Sequence, residues 1–120
     1  MIKIRFYAKP DRGTLHMTIR GHAGAGKKGE DLVCAGATML AYTLAQAVEF
    51  LFLDGKLRRK PKLKIGEGDC EIVCCPNEDS YAQTLMAYWV QQCGAQTLAK
   101  NFPENVHLDL IRVTDNDSPA

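Results

Sequence analysis

The chain has 120 residues and a formal net charge of +1, the size of one domain and a charge that draws neither nucleic acid nor acidic lipid strongly. Apolar residues make up 46% and charged residues 24%, a balance that excludes a disordered chain and predicts a single hydrophobic core. The five cysteines form an odd set with no paired C-x-x-C spacing, which points to free thiols in a reducing cytoplasm and to no metal or other cofactor.

In chain order, the start MIKIRFYAK alternates apolar and charged residues and has no uninterrupted apolar region, so it reads as a strand and not as a secretory segment. The cluster Pro10 to Gly13 is a turn, and Leu15, Met17 and Ile19 alternate with His16, Thr18 and Arg20 in a second strand that ends at Gly21-His22. The two runs form an antiparallel hairpin. Asp31 reads as an N-cap for a helix from Leu32 to about Leu53, with Val33, Ala37, Leu40, Leu44, Val48 and Leu51 on one face. Thr43, Gln46 and Glu49 interrupt its apolar stretch, so no membrane span is expected. Asp54-Gly55 ends the helix, and Lys56, Arg58, Arg59, Lys60 and Lys62 read as its solvated basic end.

Lys62 to Ile65, the turn Gly66 to Asp69, and Cys70 to Cys75 form a second hairpin. After Pro76, Asn77 or Asp79 caps a helix to about Lys100, with Ala82, Leu85, Met86, Trp89 and Cys93 on its apolar face and Gly94 interrupting it. Tyr81, Tyr88 and Trp89 read as packing residues, with one of the adjacent pair left for an interface. Val106, Leu108 and Leu110 alternate with His107 and Asp109 in a last strand. His16 and His107 take the polar faces of their strands, and Cys70, Cys74, Cys75 and Cys93 read as structural thiols. The order ββαββαβ predicts an α+β two-layer sandwich, a mostly antiparallel sheet with two helices on one face. Residues 1–113 form one domain, and 114–120 a polar tail.

The stretch GHAGAGKKGEDLVCAG, from Gly21 to Gly36, holds the candidate chemistry. Gly21 to Lys27 matches seven positions of a phosphate loop, but Lys28 stands where the magnesium-binding hydroxyl belongs. Gly24, Gly26 and Gly29 match a dinucleotide fingerprint, but the preceding strand belongs to a hairpin and no parallel βαβ unit follows. A third reading has a mechanism. With Asp31 as N-cap, Cys34 is the third helical residue, where free amides and the helix dipole favour a thiolate. His22, joined to it by a flexible connection, can take the thiol proton and return one to the leaving group. The amide of Cys34 and a neighbouring N–H would receive the oxyanion. Taken singly, Cys34 is more often a small buried residue than a nucleophile, His22 more often a loop histidine, and Asp31 more often a cap alone. Thr38, one turn after Cys34, either bonds a backbone carbonyl or supports the site.

Gly21-His22-Ala23 followed by Gly29-Glu30-Asp31-Leu32-Val33-Cys34-Ala35-Gly36-Ala37-Thr38 resembles the motif of the ribosomal-processing cysteine proteases, often called Prp. Leu32 stands where Ile is common in that motif and Thr38 where Ser is common. The resemblance implies an endopeptidase that removes a short N-terminal extension from large-subunit ribosomal protein twenty-seven, cutting after aromatic residues. It implies Cys34 as nucleophile, His22 as base and Asp31 in support. It also implies a homodimer and a substrate-covering loop from Ala23 to Glu30 that includes Gly24, Gly26 and Gly29. Neither a membrane nor direct nucleic-acid binding is expected. A different class of function, a non-catalytic ribosome-associated module binding peptide or RNA, would rest on Lys27, Lys28 and Arg58 to Lys60 instead.

Overall fold

The structure, a computed structural model, describes residues 1–9, 13–22 and 28–112, with side chains for all of these except 28–31 and 111–112. The turn residues Pro10 to Arg12, the loop residues Ala23, Gly24, Gly26 and Lys27, and the tail 114–120 lie outside the described residues.

Period-two alternation produces β1 (Ile2–Lys9) and β2 (Thr14–Arg20), paired antiparallel with Ile4 opposite Ile19 and Phe6 opposite Met17. β3 (Lys62–Gly66) and β4 (Asp69–Cys74) form the second hairpin, and β4 pairs antiparallel with β2. β5 (Val106–Arg112) runs parallel to β1, which gives the strand order β3-β4-β2-β1-β5. The expected two-layer α+β order is the observed one. Ile2, Ile4, Phe6, Leu15, Met17, Ile19, Cys70, Ile72, Cys74 and Val106 line the buried face of the sheet.

Two helices cover that face. α1 (Lys28–Leu53) lies over β3 and β4, and α2 (Tyr81–Asn101) over β5, β1 and β2. Val33, Ala37, Ala41, Leu44 and Val48 form the stripe of α1 that seals the core. Leu32–Leu53 is long and apolar enough to cross a membrane by composition, and this stripe shows what the apolarity does within the domain. The helix ends in a Schellman arrangement. The amide of Lys56 bonds the Leu51 carbonyl and that of Gly55 the Phe52 carbonyl, with Gly55 at φ +72°. No basic residue stands in its last turn, so the expected basic helix end is corrected. Lys56 and Arg58 to Lys60 occupy the connection beyond it, and Lys62 belongs to β3, where it pairs with Glu71 at 2.5 Å.

The helices run antiparallel. A Cβ on Gly36 would meet Leu98, one on Gly94 would meet Leu40, and Thr43 Oγ1 lies 2.9 Å from Gln91 Oε1. Gly94 therefore does not interrupt α2; its missing side chain lets Leu40 approach. The buried face of α2 differs from the expected one. Thr84, Tyr88 and Ala95 are buried, whereas Met86, Trp89 and Cys93 are exposed. The physical reason is satisfied polarity. Thr84 donates to the Ser80 carbonyl at 2.8 Å, and the Tyr88 hydroxyl lies 3.2 Å from the carbonyls of both Leu15 and Ile72. Nor does Asn77 or Asp79 cap α2. A short 3-10 turn, Glu78–Ser80, intervenes, and the Asn77 side chain donates to the Gly55 carbonyl.

On the outer face of the sheet His107 is exposed and lies 2.9 Å from Asp109. His16 shares that face but is buried, at 8% exposure, because β2 is the central strand and Tyr7 stacks on the ring at 4.3 Å. Among the described residues neither ring nitrogen has a hydrogen-bond partner. Burial holds the His16 pKa below the ordinary 6.5, the Lys9 charge on β1 adds to that effect, and the Glu71 charge on β4 opposes it. The unfolded chain therefore binds this proton near pH 6.5, and the folded chain only at lower pH. The stabilising contribution is complete above that value and is lost as the pH falls toward the folded pKa. His16→Phe is expected to flatten the decline of the urea midpoint between pH 7.5 and 5. An unaltered decline would show that other groups govern acid stability.

Candidate active site

One end of the domain holds Gly21, His22 and the start of α1. β1 starts there, β2 ends there, and the β3–β4 turn, the C-terminal end of α2 and the N-terminal end of α1 meet them. Backbone hydrogen bonds fasten these pieces. The Ile2 amide bonds the Asn105 carbonyl at 2.8 Å, and the Gly21 amide bonds the Gly68 carbonyl at 3.0 Å.

His22 leaves β2 after Gly21, whose φ of +96° and close approach to the Met1 carbonyl require glycine. The α-amino group of Met1 donates to the His22 carbonyl at 2.6 Å. The imidazole is exposed and rests over the bare Cα of Gly68 in the β3–β4 turn. Beside it, Arg20 holds Asp69 at 2.8 Å and donates to the Cys70 carbonyl at 2.6 Å. A hydrogen bond from Lys64 at 2.6 Å, helped by the Arg20 charge, keeps the Asp69 carboxyl below its ordinary pKa.

Cys34 is half-buried and packs against the core from α1, the helix that lies over β3 and β4. The helix starts at Lys28, not Leu32, which corrects two expectations. Asp31 is a helical residue and not the N-cap, and Gly29 belongs to the first turn of α1 and not to a loop. An acidic residue suits a first helical turn as well as a cap position, so residue type left the start ambiguous. The Asp31 side chain lies outside the described residues. Cys34 consequently sits within the regular ladder, its amide committed to the carbonyl four residues earlier. The oxyanion donor expected at that amide is therefore not free. Thr38 Oγ1 donates to the Cys34 carbonyl at 2.8 Å, so its hydroxyl bonds backbone.

Among the described residues no hydrogen bond joins the His22 ring to the Cys34 thiol. The fold brings the two groups to the same end of the molecule, one from the end of β2 and one from the second turn of α1. The other cysteines are structurally engaged or remote. Burial raises the thiol of Cys70, and raises that of Cys74, next to Tyr88, to about 11. Cys75 is buried after β4, and Cys93 is exposed on the outer side of α2. Cys34 is thus the one cysteine carried by the glycine-histidine motif. Among the described residues no three His, Cys, Asp or Glu side chains gather as a metal site. Sequence reasoning missed Gly68. Its only local signal is the turn Gly66-Glu67-Gly68-Asp69, and its proximity to His22 is a product of the β2–β4 pairing.

Comparison with known proteins gives the family and the fold. The profile of the family described as cysteine protease Prp matches residues 1–107. The fold is similar to that of SMU.848 from Streptococcus mutans, with a TM-score of 0.69 and 24% identity over 94% of this chain and 96% of that one. It is also similar to an essential ribosomal processing protease Prp from S. aureus. In complex with a covalently linked product peptide, that structure gives a TM-score of 0.68 and 22% identity over 92% of this chain and 100% of that one. In complex with a substrate peptide it gives 0.67 and 20% over the same shares. None of the curated proteins matches the chain in sequence.

Proposed function

The chain belongs to the Prp family of cysteine proteases, and on that premise we propose that it trims the N-terminal extension of large-subunit ribosomal protein twenty-seven during ribosome maturation. The observation that carries this reading is the family profile matched over residues 1–107, a span that contains both His22 and Cys34. The S. aureus protein of the same architecture, a ribosomal processing protease with substrate and product peptides bound, supports the substrate class.

In this mechanism His22 takes the proton from Cys34 Sγ. The sulfur attacks the carbonyl carbon after an aromatic residue, and a tetrahedral oxyanion forms. His22 returns the proton to the amide nitrogen as the C–N bond breaks, which releases the new amine and leaves a thioester. Water, deprotonated by His22, then hydrolyses the thioester and restores the thiol. Asp31, three residues before Cys34, supports the pair as the family motif assigns. Ala23, Gly24 and Gly26 belong to the segment that covers the substrate. The test is incubation with the extended ribosomal protein, read by mass spectrometry. A product beginning immediately after an aromatic residue is expected, and an intact precursor would refute the assignment.

The same reading includes a cytoplasmic homodimer. All five cysteines are free, as a reducing compartment requires. The outward sides of the helices present Leu32, Met39, Phe50 and Leu53 of α1, the last 73% exposed, with Met86 and Val90 of α2. Exposed apolar surface of this extent marks an interface. Sedimentation is expected to give twice the 13.3 kDa chain mass, and a species of one chain mass at micromolar concentration would refute the dimer.

A further inference from the structure

His22 has an unusual support. Its ring is not held by a hydrogen bond among the described residues but rests on the β3–β4 turn, where a Cβ built on Gly68 would lie 2.5 Å from Nε2, 2.7 Å from Cε1 and 3.2 Å from Cδ2. Such distances do not occur between real atoms, so any side chain at position 68 displaces the ring. Gly68 also has φ +65°, and its carbonyl accepts the Gly21 amide at 3.0 Å. The turn therefore holds the backbone just before His22 and supplies the surface under its imidazole. The Nε2 edge of the ring faces that surface.

We propose that Gly68 is a positioning residue for catalysis: the bare Cα of the β3–β4 turn is the seat that fixes where the His22 imidazole stands before it meets the Cys34 thiol. This rests on the reading of His22 as the base. The seat gives an exposed ring at the end of a strand a surface to rest on where no hydrogen bond among the described residues holds it. A group that transfers protons loses about a hundredfold in rate when it is misplaced by an ångström. A methyl group under the ring imposes a displacement of at least that order.

The backbone and the ring are separable by experiment. Gly55 has φ +72°, nearly the same conformation as Gly68, and a Cβ there meets nothing within 4 Å. Gly55→Ala imposes the left-handed strain alone, at the opposite end of the domain. Gly68→Ala imposes the strain and the clash. Gly68→Asn keeps the clash while suiting the left-handed conformation, and replaces Gly68→Ala should the latter not fold. The measurements are kcat and KM on a peptide spanning the cleavage site, and the His22 Cε1–H resonance by NMR. Gly68→Ala and Gly68→Asn are expected to move that resonance and to lower kcat roughly ten- to a hundredfold with KM little changed, while Gly55→Ala does neither. Gly68 variants with the wild-type resonance and kcat would overturn the seat. His22→Ala separates the two failures. If it is inactive while the Gly68 variants keep full kcat, His22 stands as base and only the seat falls. If His22→Ala is fully active, the base assignment falls and takes the seat's catalytic role with it.

Discussion

Cys34→Ala abolishes peptide hydrolysis, by at least about a thousandfold in kcat, while the denaturant midpoint stays close to that of the wild-type protein. The two halves of this expectation have different causes. On the proposed mechanism the activity loss follows because the sulfur of Cys34 forms the thioester and no other cysteine stands in the glycine-histidine motif. The stability is kept because Cys34 is half-buried at the margin of the core, and trimming one sulfur there costs at most about 1 kcal/mol. Cys74→Ala is the contrasting control. That thiol is 2% exposed, lies 3.6 Å from the Tyr88 hydroxyl and is far from ionising. Its loss weakens the core and spares the per-molecule rate. Residual hydrolysis by Cys34→Ala above a few per cent would remove the nucleophile assignment outright.

Leu44→Ala destabilises the protein by about 2–5 kcal/mol. Leu44 is fully buried in the stripe of α1 that covers the sheet, where the antiparallel contact with α2 leaves little room for collapse. Against a total of roughly 5–15 kcal/mol for a domain of ordinary stability, this is the largest effect a single truncation in α1 can produce. The urea midpoint is expected to fall with the m-value unchanged, and the folded fraction to cleave substrate normally at low temperature. A loss below about 1 kcal/mol would mean that α1 is not seated on the sheet as described, and the position of Cys34 would go with it.

Strands and helices were legible because their periods are distinct. Ile2, Ile4, Phe6 and Leu15, Met17, Ile19 repeat every second residue, and Val33, Ala37, Leu44, Val48 follow the helical turn. The motif from Gly21 to Thr38 made the family legible as well. The errors have one source, which is that residue type does not report what a polar group will find after folding. Met86, Trp89 and Cys93 looked like a core face because they are apolar. Thr84 and Tyr88 displaced them because carbonyls of Ser80, Leu15 and Ile72 wait inside. His16 looked solvated because its strand alternates, but the central place of β2 and the Tyr7 ring cover it. Asp31 carried a cap's chemistry into a helix that had already begun at Lys28. Gly68 was hidden for a different reason, since nothing in its own turn announces that His22 will lie on it.

The parallel union of β1 with β5 has a consequence for the newborn chain. Ile2 lies opposite Val106, so β1 must wait for β5, made about a hundred residues later, before its outer hydrogen bonds are formed. Pairing across so long a separation is slow and entropically costly. The Ile2–Asn105 bond belongs to the end of the molecule that carries His22, so that end is finished only when this late partner docks. A domain assembled in this order closes the end that carries His22 only once β5 has been made.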